Sequence, residues 1–90
     1  MMKTDEIVEE LEEAARKMGR EVRRERGDFG GGACRVGEQA VIVLNERHPP
    51  EAHLAVLAEA LKGEADAVYL KPAVRAALEE AASDENAYAE

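Results

Sequence analysis

Two histidines, one cysteine, a run of glycines and a knot of arginines are the residues whose types and spacing bear on chemistry. His48 and His53 stand five apart across Pro49-Pro50, whereas a helical zinc pair needs i, i+4 spacing and a third ligand. They read as a loop histidine and a helix-start histidine, not as a metal site. Cys34 is the only cysteine, so neither an intramolecular disulfide nor a thiolate cluster is available. In an apolar strand it reads as a small core residue rather than a nucleophile, with Arg35 on the opposite face.

The segment Gly27-Asp28-Phe29-Gly30-Gly31-Gly32 brings backbone N–H groups close together, as an anion-binding loop would. The details oppose that reading: no Lys-Ser/Thr follows, the spacing is not G-x-G-x-x-G, and a strand rather than a helix comes next. A flexible loop is the plainer reading. Asp28-Phe29-Gly30 has none of the companion elements of a kinase, and the chain is too short for one.

Arg16, Lys17, Arg20, Arg23, Arg24 and Arg26 face only Glu21 and Glu25 over the same stretch, a local excess of four positive charges in a chain of net charge −8. Such arginines pair with phosphate or with an acidic protein partner; the plainer reading is that they neutralise the glutamate-rich helices of their own fold. Without interleaved aromatics they do not form a stacking platform for nucleic acid. The chain's overall negative field also opposes nucleic acid and anionic membrane.

The elements that must position these residues follow from periodicity. Ile7, Leu11, Ala14 and Met18 recur at helical spacing, with Thr4 as the expected N-cap and Gly19 as the stop. Glu9, Glu10, Glu12 and Glu13 form the expected solvated face. Arg20 to Arg26 has Val22 as its only strong apolar residue and suits an edge strand. Ala33 to Val36 and Gln39 to Leu44 flank Gly37-Glu38, a glycine-first pair that suits a type II′ hairpin. Pro49-Pro50 opens a second helix with Leu54, Leu57, Ala58 and Leu61 inward and Gly63 as its end. Ala67 to Leu70 connects it to a third helix, opened by Pro72, that turns Val74, Ala77, Leu78 and Ala81 inward.

Ninety residues of 9.8 kDa make one small domain, expected over residues 1–82 with a frayed acidic tail at 83–90. Aromatics are only 3%, so alanine, valine and leucine must build the core. Met1 to Glu6 lacks the apolar stretch of a signal peptide, and the longest purely apolar run is Ala40 to Leu44, so a cytoplasmic protein without a membrane span is expected.

A strand ending in Asn45, a polar linker and the helix Leu54-Ala55-Val56-Leu57-Ala58-Glu59-Ala60-Leu61-Lys62-Gly63 together resemble the minimal zincin-like metallopeptidase core. In that family the helix carries H-E-x-x-H. Here Glu59 and Gly63 stand at the metal-histidine positions and Ala60 at the general base. The resemblance implies a degenerate, metal-free relative serving as a binding module, with no catalytic residue carried over.

The expected architecture is α+β: a helix, a three-stranded antiparallel meander and two C-terminal helices. Val41 and Val43 point to one face of the central strand while Ala40, Ile42 and Leu44 point to the other, so both faces are apolar. Either the helices divide between the faces, or a second copy covers one of them, and the small core favours the second arrangement. The expected function is a non-catalytic interaction or regulatory module, a homodimer or a partner of an unidentified protein, with no cofactor, metal, nucleic acid or membrane. The alternative is an anion or small-ligand binder, or an enzyme, that uses the loop from Gly27 to Gly32 with Arg24, Arg35 and His48, whereas Arg20, Arg23, Arg24 and Arg26 are expected to serve a protein interface or internal charge pairing; together Arg20, Arg23, Arg24, Arg26, Arg35 and His48 are the candidate interaction or anion residues.

Overall fold

In the first helix, α1 (Thr4–Lys17), Val8, Leu11 and Ala15 fall on one stripe and are buried together with Ala14. Its start lies one residue before the expected cap: the Lys3 N–H donates to the Glu6 carboxylate at 2.8 Å. The chain ends α1 at Met18 and turns at Gly19, whose φ of 91° lies in the left-handed region that glycine adopts cheaply. The computed structural model describes the backbone of residues 2–88 and the side chains of residues 2–82. The frayed tail expected at 83–90 lies outside the residues described in full.

Three strands follow, β1 (Glu21–Glu25), β2 (Gly32–Val36) and β3 (Gln39–Asn45), then α2 (Pro50–Ala60) and α3 (Pro72–Tyr88). The α+β class and the element order agree with the sequence reading, but the sheet is mixed and its order is β1-β3-β2. β3 pairs antiparallel with β2, Cys34 facing Val41, and parallel with β1, Val22 facing Ile42. The expected meander fails because residues 26–31 do not form a tight turn. They carry the chain past the place that β3 later fills, so β1 and β2 flank it instead of pairing with each other. The β2–β3 turn is as expected: Gly37 has φ 64°, and no non-glycine residue has positive φ among the described residues, which excludes a type I′ turn and fits type II′.

All three helices pack on one side. Ile42 and Leu44 join Leu11, Leu57, Ala58, Leu61, Val74 and Leu78 in a single buried cluster. α1 and α2 lie against the strands, while the backbone of α3, among the described residues, runs beside α1 and α2 and not beside a strand. The helices therefore do not divide between the two sheet faces. No described helix is long and apolar enough to cross a membrane.

Candidate functional site

Register fixes what the helix-free face carries. Residues paired across a ladder share a face, so Glu21, Arg23 and Glu25 of β1, Val41 and Val43 of β3, and Gly32, Cys34 and Val36 of β2 lie together on it. Val41 is almost fully enclosed at 1% exposure, but Val43 is only half-buried, and Val36 and Phe29 are 56% and 37% exposed. Cys34 is exposed as well. That corrects its expected place in the core: β2 is an edge strand, and Cys34 lies in register with Val41 on the face away from the helices.

Beside this face the glycine loop borders a shallow hollow of about 370 Å³, lined by Glu25, Phe29, Gly30–Gly32, Ala33, Cys34 and Val43. Asn45 holds the loop in place. Only 2% exposed, its side-chain amide donates to the carbonyls of Gly27 and Phe29 at 2.8 and 2.7 Å, and its side-chain oxygen accepts from the Arg47 N–H at 3.0 Å. Gly31 has φ 78°, and a Cβ there would lie 2.9 Å from the Val43 carbonyl oxygen. The loop is therefore anchored, not merely flexible, and glycine is required where it crosses β3.

The six candidate interaction or anion residues are dispersed. Arg20 pairs with Glu64 beyond α2. Arg23 pairs with Glu21 on the uncovered face, and that neighbour raises its pKa. Arg24 lies on the helix side, where Nε and a terminal nitrogen donate to the two carboxylate oxygens of Glu12 at 3.1 and 2.6 Å. The hydrogen bond to Glu12, with the pull of Glu12, Glu9 and Glu46, raises the Arg24 pKa against the opposing effect of burial. Arg35 donates to the Glu38 carbonyl at the hairpin turn, 3.1 Å away. Arg26 is exposed and has no ion pair among the described residues. Only Arg24 and His48 come together, in a cleft of about 290 Å³ at the carboxyl ends of β1 and β3.

His53, which lines that cleft, and Glu12, which pairs with Arg24 beside it, both lie elsewhere than the sequence predicts. His53, expected as an unremarkable helix-start histidine, is 5% exposed, and its Nε2 lies 2.6 Å from the Asn45 carbonyl oxygen. A carbonyl only accepts, so the proton sits on Nε2. Glu12, expected on a solvated face, is 4% exposed beneath Arg24. Helical geometry explains the burial: position 12 lies four after Val8 and three before Ala15, alongside the apolar stripe.

Of the positions that carry the metallopeptidase resemblance, Glu59 is exposed on α2 and Gly63 lies beyond the helix end at Ala60. They do not share a helical face. No protein-family model, curated protein or solved structure matches the chain.

Proposed function

We propose that this protein is a non-catalytic interaction module that self-associates through the uncovered face of its sheet. The observation that carries this reading is the one-sided packing of the helices, which leaves Val43, Cys34, Val36 and Phe29 without a covering layer. A second copy fits the charge on the face. Along β1 the row Glu21-Arg23-Glu25 alternates in sign, so a two-fold axis can set Arg23 of each copy against a glutamate of the other. The pairing of Arg20, Arg24 and Arg35 within the chain favours this reading over an anion site, because these donors already have acceptors.

Size sets the strength. Three strands about 4.8 Å apart and five residues long at about 3.3 Å per residue give a face roughly 14 by 17 Å. That is well below the roughly 800 Å² per partner of a standard stable interface, so the association is weak and concentration-dependent. A dilution series followed by backbone amide spectra tests it. Resonances of Cys34, Val36, Val41 and Val43 should move with concentration while those of Leu57 and Val74 stay fixed. Changes confined to the helices, or none up to high micromolar protein, would refute this surface.

A further inference from the structure

β2 has a strand on one side only, because the sheet runs β1-β3-β2. Val36 and Gln39 close the two-residue turn and are hydrogen-bonded across it. By the alternation of an antiparallel ladder, Cys34 and Gly32 also turn their N–H and C=O groups toward β3, whereas Ala33 and Arg35 turn theirs to the outer edge. Among the described residues no backbone hydrogen bond outside the ladder reaches those two. Two donors and two acceptors therefore stand in a row at strand spacing.

The opposite edge of the sheet is built differently. β1 reads Glu21-Val22-Arg23-Arg24-Glu25, four charges in five residues, and charged side chains guard an edge against pairing. β2 reads Gly32-Ala33-Cys34-Arg35-Val36, with one charge and no proline. Beside it, on the helix side, a groove of about 230 Å³ separates strand from helix, lined by Gly31, Gly32, Ala33, Ala55, Val56 and Glu59. Ala33 shares that side with its partner Ile42 and is still exposed, because glycine and alanine leave room between β2 and α2.

We propose that an extended, basic segment of a partner protein adds to the outer edge of β2 as a fourth strand, with an aliphatic side chain in the groove and a lysine or arginine two residues away beside Glu59. The free N–H and C=O groups of Ala33 and Arg35 call for a main chain rather than a small molecule. Residues opposed across a ladder share a face, so the added residue opposite Ala33 points into the groove, whose lining of Ala33, Ala55 and Val56 suits one aliphatic side chain. The next side chain on that face stands two residues on. There Glu59, which has no ion pair among the described residues, favours a cation. The net charge of −8 steers a basic segment to the molecule. A second copy paired edge to edge about Cys34 would instead set Arg35 against Ala33, with no aliphatic residue for the groove. This edge is separate from the uncovered face, so the two associations stand or fall independently.

The probe is a capped pentapeptide with isoleucine at its centre, lysine at each end and threonine between, a pattern that is the same in either strand direction. It is titrated into isotope-labelled protein below the concentration at which the protein's own spectra change on dilution. Saturable shifts are expected at the Ala33 and Arg35 amides, with contacts from the isoleucine methyls to Ala55 and Val56, while Val41 and Val43 stay fixed. N-methylation of the isoleucine nitrogen removes the donor that faces Ala33 and should abolish binding. Glu59→Gln should weaken it about two- to fivefold, the range of an exposed ion pair. Ala33→Pro, a substitution that a strand edge tolerates, should not bind, and the N-methylated peptide carries the same test if that variant does not fold. No saturable response at millimolar peptide, equal binding of the N-methylated peptide, or shifts at Val41 and Val43 in place of Ala33 and Arg35 would overturn the proposal. So would protection of the Ala33 and Arg35 amides that rises with protein concentration alone, which would assign the edge to a second copy.

Discussion

Glu12 and Arg24 show how a single residue pair departs from surface expectation. The Glu12 side chain is 6% exposed and that of Arg24 is 40% exposed, so the carboxylate relies on the guanidinium for the hydrogen bonds that water would otherwise give. Replacing Arg24 with alanine should destabilise the fold by about 1–3 kcal/mol, discounted for the exposure of the arginine and for Arg16 near the same carboxylate. Denaturant unfolding checks this, and adding Glu12→Ala should restore part of the loss because no buried charge is left unpaired. Asn45 gives a sharper contrast. Asn45→Ala removes three hydrogen bonds, whereas Asn45→Asp keeps the shape but turns an oxygen toward the carbonyls of Gly27 and Phe29. The aspartate variant should be the less stable of the two, with faster amide exchange over residues 27–31, since two buried acceptors then face a third.

At the scale of elements, the helices were legible in the sequence and the strand order was not. Periodic apolar residues and Pro50 marked α1 and α2 because a helix writes its buried face into its own spacing. The β2–β3 hairpin was legible for the same local reason, a glycine-first turn of two residues. β1 carries one strong apolar residue, and its partner is chosen by a loop whose course depends on the Asn45 side chain, 16 and 18 residues away from the carbonyls it binds. No local pattern records such a contact. The burial of His53 was hidden likewise, because its partner is a backbone carbonyl, while that of Glu12 was readable from helical phase. Two substitutions test these elements. Gly31→Ala should cost about 1–3 kcal/mol from its positive φ alone, with a further penalty from the Val43 carbonyl, and should loosen the β2 end of the hairpin in exchange measurements. Leu57→Ala, at 0% exposure in the shared helix–sheet cluster, should cost about 2–5 kcal/mol in thermal or denaturant unfolding.

For the whole molecule the governing fact is asymmetry: every described helix packs on the Ile42 and Leu44 side of the sheet, and the Val43 side has none. A domain of 90 residues has a small core, and a second chain against the bare face adds burial that the monomer lacks. The net charge of −8 opposes association between copies at long range, so added salt should strengthen self-association by screening that repulsion, until the Arg23 pairs across the interface are themselves weakened. Sedimentation of the wild-type chain and of Val43→Lys across a wide concentration range tests the central claim most directly. The account predicts that the wild-type mass climbs from 9.8 kDa toward twice that value as protein reaches high micromolar, while Val43→Lys remains folded and monomeric. A wild-type mass fixed at 9.8 kDa throughout, or a Val43→Lys protein that associates as the wild type does, would contradict it.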